Sequence, residues 1–272
     1  MSKVNAMSNF SPKGTALITG ASAGIGAIYA DRLARRGYDL ILVARNAERL
    51  NKLAGELSAS TGRKVIPLVA DLTNKADLRR VEEVLRSDAS ITMLVNNAGF
   101  GSVASILKGD ADTMENMIEL NITALTRLTY AIAPVFAGKQ AGAIINIASV
   151  VGIAVEMLNG VYSASKSYVL SFGHTLQRDL ADKGVRIQTV MPAATATEFW
   201  DVAGYAAQKE SARTMSAAHL VDAALAGFDQ GELVTLPTLH EGELFTQWEA
   251  DRRALAPKFA NAAPAERYGI AA

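Results

Sequence analysis

The chain has 272 residues, half of them apolar, and its 27 basic residues equal its 27 acidic residues in number. This length supports one sizeable core, and the charge balance argues against nucleic acid or an acidic membrane as a partner. The absence of cysteine excludes disulfides, thiol nucleophiles and thiolate metal sites, and no uninterrupted apolar run reaches the roughly 20 residues that span a bilayer. We therefore expect a cytoplasmic protein that does not insert into membranes.

Short apolar runs alternate with longer helical patterns from Gly14 onward. This alternation predicts an α/β fold: a single Rossmann-like, doubly wound domain whose seven-stranded parallel sheet has helices on both faces. The predicted strands are residues 15–19, 39–44, 64–70, 91–96, 143–148, 186–191 and 233–236. The predicted helices are residues 24–36, 47–60, 75–87, 113–137, 162–183 and 217–229.

No Pro/Gly/Ser linker divides the chain, so one domain is predicted over residues 1–272, with its core at about 13–237. Residues 193–216 lose the periodic pattern but include Phe199, Trp200 and Tyr205, which indicates a lid over a substrate. A packed surface insertion is the alternative for this segment. The tail, residues 257–272, is rich in Ala and Pro and is expected to dock loosely or fray.

A glycine-rich turn follows the first predicted strand. Its glycines allow backbone N–H groups to approach a pyrophosphate at the positive end of the next helix. The full G-x-G-x-x-G fingerprint is absent, because Tyr29 stands at the third glycine position. The position directly after a strand favours a dinucleotide site over a plain structural turn. The turn contains Gly20, Ser22, Ala23, Gly24, Ile25 and Gly26.

The second predicted strand ends at Ala44 and Arg45, where NAD-binding folds place an acid for the ribose 2′-hydroxyl. A guanidinium binds the oxygens of a 2′-phosphate, whereas a carboxylate would repel them. Arg45 therefore predicts that NADP(H) is preferred over NAD(H). A solvated surface arginine is the alternative interpretation.

Ser149, Tyr162 and Lys166 have the spacing that a carbonyl reductase needs. Ser149 follows a predicted buried strand, whose carboxyl end faces the ligand crevice, and Tyr162 and Lys166 share one helix face. A free tyrosine has a pKa of about 10, which an adjacent ammonium is expected to lower. The set predicts proton transfer by Tyr162. The three histidines lack the spacing of metal ligands, so no metal is expected.

Four motifs together resemble the short-chain dehydrogenase/reductase family, of the NADP-preferring type, over about residues 13–237. The motifs are the glycine turn, the Asn96-Asn97-Ala98-Gly99 sequence, Asn121, and the set of Ser149, Tyr162 and Lys166. Any one of these could be accidental, but the combination is highly specific.

The resemblance implies a role for each matching position. Asn121 joins the catalytic set, because its helix backbone holds a water that links Lys166 to solvent. Asp71 contacts the adenine ring, and Thr197 binds the nicotinamide carboxamide. Lys166 also binds the nicotinamide ribose. The implied cofactor-binding residues are Gly20, Ser22, Ala23, Gly24, Ile25, Gly26, Arg45, Asp71, Leu72, Asn97, Ala98, Gly99, Tyr162, Lys166, Pro192, Thr195 and Thr197.

Two departures from the family pattern affect the cofactor. The chain has Ala193 where the family follows Pro192 with glycine, so the backbone approach to the nicotinamide can differ. Ala23 provides no second basic contact to a 2′-phosphate, so the predicted cofactor preference depends on Arg45.

The predicted substrate pocket is mostly apolar, with Glu156 as one polar selector. The predicted reaction is hydride transfer between a nicotinamide cofactor and a ketone or secondary alcohol. A reductase of 3-oxoacyl groups on an acyl carrier and a non-catalytic NADP-binding sensor or scaffold are the alternatives. The two long predicted helices are apolar on more than one face, so a homodimer or homotetramer is expected. The predicted pocket residues are Phe100, Val150, Val151, Glu156, Phe199 and Trp200.

Overall fold

The computed structural model describes residues 13–270, which divide into two compact units, one ending at Pro237 and the other beginning at Thr238. A single domain over the whole chain stays a prediction. In chain order the strands are β1 Thr15–Thr19, β2 Asp39–Ala44, β3 Val65–Val69, β4 Ile91–Asn96, β5 Gly142–Ile147, β6 Val185–Val190, β7 Thr195–Ala196, β8 Met215–Ser216 and β9 Val234–Thr235.

One seven-stranded sheet organises the first unit, in the order β3-β2-β1-β4-β5-β6-β9. Every pairing is parallel, so the predicted fold class is confirmed. The chain builds outward from β1 in one direction and from β4 in the other. A ligand crevice forms where this order reverses, at the carboxyl ends of the strands.

The helices begin and end near the predicted residues in most cases. They are α1 Gly24–Arg35, α2 Ala47–Thr61, α3 Lys75–Ser87, α4 Ala111–Ile118, α5 Leu125–Lys139, α6 Gly160–Leu180, α7 Phe199–Ala203, α8 Ala217–Gln230 and α9 Gly242–Leu255. Helix α6 begins before Tyr162, because the Asn159 side chain caps it by accepting from the N–H groups of Val161 and Tyr162.

The predicted helix over residues 113–137 is not one regular helix. A π-helical segment, Glu119–Ala124, separates α4 from α5. A π-turn has one more residue per hydrogen-bonded ring than an α-turn, and such turns concentrate at functional sites. The segment contains Asn121, one of the predicted catalytic residues.

Both faces of the sheet are covered by helices, as predicted. One core cluster joins α1, α2 and α8 to the sheet, with Leu33, Leu50 and Phe228 among its buried side chains. The other joins α3, α5 and α6, with Leu85 and Phe136 buried. Close packing on both faces holds the strand ends, and the loops that follow them, in fixed positions.

Helical residues 111–139 are long and apolar enough to cross a membrane by length and composition alone. However, 44% of the tested window is buried inside the protein. Leu128, Ile132 and Phe136 of this segment pack into the second core cluster. Contact with the sheet therefore accounts for the apolar residues on one face of this segment.

The segment predicted as a lid, residues 193–216, contains short elements rather than one irregular loop. Strands β7 and β8 pair in parallel, and helix α7 lies between them. Helix α9 was missed by the sequence-based prediction, because no side chain caps its first turn and most of it is exposed. In the predicted tail, residues 257–270 are exposed and include a 3-10 turn at Glu266–Tyr268.

Candidate active site

A cavity of about 950 Å³ lies at the carboxyl ends of the strands. Loops that follow β1, β2, β3, β4, β5 and β6 contribute to its wall, so residues far apart in sequence meet there. The predicted catalytic and cofactor residues in the wall are Gly20, Ser22, Ala23, Gly24, Ile25, Arg45, Asp71, Leu72, Asn97, Ala98, Gly99, Ser149, Tyr162, Lys166, Pro192, Thr195 and Thr197. Of the predicted cofactor residues, Gly26 alone does not line this cavity.

The turn after β1 has the form of an anion cradle. Gly20 has a φ of 65°, and a Cβ there would lie 2.9 Å from the Cα of Ala98. A Cβ on Gly26 would collide with the carbonyl oxygen of Gly20, so only glycine at this position lets helix α1 approach the turn so closely. No side chain caps α1 at Ala23, and its first turn has no acidic residue. The free N–H groups and the positive helix end therefore fit a dinucleotide pyrophosphate.

Asn97 holds this turn against β4. Its Nδ2 donates to the carbonyl oxygens of Thr19 at 2.9 Å and Gly20 at 3.2 Å. The Thr19 hydroxyl accepts from the N–H groups of Asn97 and Ala98, both at 3.0 Å. These bonds fix the two loops at the reversal point of the sheet relative to each other.

The far end of the cavity has one basic and one acidic side chain. Asp71 is oriented by Thr73, whose N–H and hydroxyl donate to its Oδ1 at 3.0 and 2.7 Å. Arg45 is exposed and makes no ion pair within residues 13–270. Arg49, one turn along α2, instead pairs with Glu198 of the lid segment at 2.7 Å. Arg45 is therefore the available cation at this end of the wall.

Ser149, Tyr162 and Lys166 meet at the buried end of the cavity. The Ser149 hydroxyl donates to the carbonyl oxygen of Pro192 at 3.2 Å, and the Ser149 side chain lies close enough to Tyr162 to interact with its hydroxyl. Lys166 Nζ donates to the carbonyl oxygen of Ile147 at 2.9 Å and lies 5.6 Å from the centroid of the Tyr162 ring. The hydroxyls of Ser149 and Tyr162 and the amine of Lys166 therefore lie together at the buried end of the cavity.

Burial is the main cause of the pKa shifts of Tyr162 and Lys166. It raises the pKa of Tyr162 well above its ordinary value, and the interaction with Ser149 only partly opposes this. Burial also lowers the pKa of Lys166 to about 8. The expectation of a lowered tyrosine pKa is therefore wrong for the protein alone, because desolvation favours the neutral form of both groups. A protonated Tyr162 is the form that a proton donor requires.

Asn121 lies behind the cavity wall rather than in it. Its Oδ1 accepts from the N–H of Phe100 at 3.1 Å, and its Nδ2 donates to the Phe100 carbonyl at 2.9 Å and to Ser165 Oγ at 3.2 Å. A Cβ on Gly99 would lie 2.9 Å from Asn121 Oδ1. The side chain thus positions the loop after β4 beside α6, a role that the sequence did not predict.

The residues predicted for the substrate pocket line the cavity, with one exception. Phe100, Val150, Val151, Phe199 and Trp200 line the cavity. Glu156, predicted as a polar selector, is exposed in the 3-10 turn Val155–Met157 and does not line it. This correction follows from the turn, which presents its neighbours Met157 and Leu158 to the cavity instead.

A comparison with protein families identifies this architecture. The model described as "short chain dehydrogenase" matches residues 14–207, well over half of the chain. The chain belongs to the short-chain dehydrogenase family. It is therefore an oxidoreductase with a Rossmann-like fold, and the family resemblance noted in the sequence is confirmed.

Solved structures of this short-chain dehydrogenase family are similar over nearly the whole chain. A short-chain dehydrogenase from Sphingobium yanoikuyae, in complex with NADPH, is 47% identical with a TM-score of 0.91, and the match covers 94% of this chain and 99% of that one. A bulky-bulky ketone specific alcohol dehydrogenase from Comamonas testosteroni is 42% identical with a TM-score of 0.88, covering 95% and 99%. An uncharacterized oxidoreductase of Staphylococcus saprophyticus is 34% identical over 72% of this chain and 84% of its own length.

Several wall residues of this short-chain dehydrogenase were not predicted. Asn116 and Leu120 line the cavity from the helical residues just before Asn121. The sequence pattern does not reveal the face that they share, because the π-helical segment interrupts the regular helical period. Val202 and Gln208 line it from the lid segment, beside Tyr205, which the sequence already places in the predicted lid. Within residues 13–270, no cluster of acidic and histidine side chains could hold a metal ion.

Proposed function

We propose that this short-chain dehydrogenase interconverts ketones and secondary alcohols with NADP(H), and that Tyr162 is its acid and base. The observation that carries the proposal is the buried contact of Tyr162 with Ser149, with Lys166 beside the ring. Both hydroxyls can donate to one carbonyl oxygen, which orients the carbonyl and stabilises the charge that develops on it. Bound nicotinamide supplies the hydride.

Proton transfer in the direction of reduction leaves Tyr162 as a phenolate. The O–H bond of Tyr162 breaks, and its proton joins the carbonyl oxygen as hydride reaches the carbonyl carbon. Lys166 then has two tasks: its ammonium stabilises the phenolate, and it returns a proton to it. Its pKa of about 8 suits this exchange, because such a group gains and loses protons near neutral pH.

The cofactor preference rests on Arg45, the unpaired cation at the far end of the cavity wall. A 2′-phosphate there would form charge-assisted hydrogen bonds with the guanidinium. The NADPH complex of the Sphingobium yanoikuyae relative supports the same cofactor for this chain. We also propose a cytoplasmic location, which a cysteine-free sequence suits.

The substrate proposal is an uncharged ketone with large apolar substituents. The apolar wall supports it, as does the bulky-bulky ketone specificity of the Comamonas testosteroni relative. Purified protein should oxidise NADPH when given such ketones, which absorbance at the nicotinamide band would follow. A clear preference for 3-oxoacyl groups on an acyl carrier would favour that alternative activity instead. Cofactor binding without turnover of any carbonyl would favour a sensor or scaffold.

Homodimerisation is proposed through a cluster of stacked aromatic rings on α5 and α6. Phe172 stacks on Tyr130 at 6.3 Å and on Tyr168 at 5.6 Å between ring centroids. The Tyr130 side chain is 69% exposed, so this cluster presents an apolar surface that a second copy can cover.

Tyr130→Glu is expected to shift the protein toward monomers, because the substitution places a charge in the centre of the proposed contact. Light scattering at micromolar concentration measures the change. Tyr268→Glu is the matched control, since Tyr268 is 62% exposed and lies in the other compact unit. A wild-type monomer would contradict the proposal.

A further inference from the structure

Phe199, at the first turn of α7, lies directly against the proposed proton donor. Its ring centroid is 5.5 Å from that of Tyr162, and the planes are tilted by 46°. On its other side it meets Trp200 edge to face, at 5.3 Å and 89°. Trp200 meets the exposed ring of Tyr205 at 6.4 Å. A chain of four aromatic rings thus connects the reaction centre with the surface of the lid segment.

Gly101 creates the space that Phe199 occupies. A Cβ at Gly101 would lie 2.9 Å from Phe199 Cε2 and 3.1 Å from Tyr162 Cδ2, so any other residue would push the ring away. Phe199 also packs against the small apolar cluster that contains buried Tyr162. The ring therefore forms part of the cover over Tyr162, and a ketone of any size must share or take this space.

Trp200 is held firmly, whereas Phe199 is not. The Trp200 side chain is buried, and its Nε1 donates to the carbonyl oxygen of Thr195 at 2.9 Å. Phe199 is half-buried, and its side chain has only ring and apolar contacts. Rotation of the Phe199 side chain consequently breaks no side-chain hydrogen bond, while Trp200 remains as a fixed wall.

We propose that Phe199 occupies a specificity subsite: its ring fills the place of an aromatic substituent of the ketone, and it swings aside when an aryl ketone enters. A planar ring in this position restores the tilted contact with Tyr162 and the edge-to-face contact with Trp200. A saturated ring of similar volume fills the space but restores neither contact. This inference rests on the proposed function, which it narrows to aryl ketones.

The kinetic test compares an aryl ketone with its cyclohexyl analogue. Wild-type protein should favour the aryl ketone in kcat/KM by about 3- to 10-fold, as expected for the loss of such ring contacts. Phe199→Ala removes the ring that either ketone must displace, so kcat/KM should rise for both ketones, while the contacts with Tyr162 and Trp200 keep the preference for the aryl ketone. Phe199→Leu, which keeps apolar volume without a ring, should act in the same direction. Glu210→Ala, at an exposed position of the same lid segment, is the matched control and should keep the wild-type kcat/KM values for both ketones.

An optical test reports the subsite independently of turnover. The chain has two tryptophans, so Trp248→Phe leaves Trp200 as the single indole fluorophore. Titration of this variant with the aryl ketone should change the Trp200 emission saturably, and more than titration with the cyclohexyl ketone.

The outcomes separate this inference from the proposed function. Unchanged kcat/KM values for both ketones in both Phe199 variants, with turnover intact, would overturn the inference alone. A Trp200 emission that does not respond while the aryl ketone is turned over would do the same. Failure of the wild-type protein to reduce either ketone would overturn the proposed function, and the inference with it.

Discussion

Tyr162→Phe is expected to lower turnover by a factor on the order of 10² to 10⁴ while the fold and the cofactor affinity are retained. The substitution removes the hydroxyl that donates the proton but keeps the ring that packs against Phe199. Steady-state reduction of a ketone measures turnover, and fluorescence titration with NADPH measures affinity. Retained turnover would refute the proposed mechanism.

Lys166→Ala provides the informative comparison. Lys166 is assigned both the stabilisation of the phenolate and contact with the nicotinamide ribose, so this variant should lose turnover and also bind the cofactor more weakly. Equal cofactor affinity in the two variants would leave Lys166 with the proton-transfer role alone.

A double substitution at Ala44 and Arg45 is expected to weaken or reverse the preference for NADPH over NADH. A charge-assisted contact of Arg45 with the 2′-phosphate contributes about 1.5 to 3 kcal/mol, which corresponds to roughly a ten- to hundredfold preference for NADPH over NADH. Ala44→Asp combined with Arg45→Ala removes the cation and adds an acid for the ribose hydroxyls, so the preference should shrink or reverse. The ratio of kcat/KM values for the two cofactors measures it.

Arg49→Ala is the matched control for this exchange. Arg49 is likewise an exposed arginine, in the first turn of α2, but its guanidinium is already paired with Glu198. Its removal should therefore change the ratio much less than the removal of Arg45. If wild-type protein binds NADH as tightly as NADPH, Arg45 is only a surface charge.

The strands were predictable because buried parallel strands are apolar on both faces and end abruptly at polar turns. Strand β5, predicted at residues 143–148, is observed at Gly142–Ile147, and the other strands of the large sheet agree equally well. The positions of Ser149 and Arg45 followed directly, because each comes just after such a strand. Their meeting in one cavity is a consequence of the parallel topology.

Other features depend on three-dimensional surroundings that no local pattern records. The pKa shifts of Tyr162 and Lys166 follow from how completely the fold buries them, which spacing alone does not give. Glu156 lies in a loop whose side-chain directions are set by a single 3-10 turn. Helix α9 lacks both a side-chain cap and a broad apolar face, which are the two features that reveal helices in sequences.

The π-helical turn at Glu119–Ala124 makes the protein sensitive to the number of residues in one helix rather than to their identity. Successive residues of a regular α-helix are rotated by about 100°, so deleting one residue here would let the helix continue regularly and turn α4 relative to α5 by about that angle. The apolar content and every named side chain would survive a deletion at an unnamed position of this segment. Asn121, however, would no longer face the backbone of Phe100, and the loop behind the reaction centre would lose its support. Homologous enzymes that share this support should therefore tolerate substitutions in this helix far better than single-residue insertions or deletions.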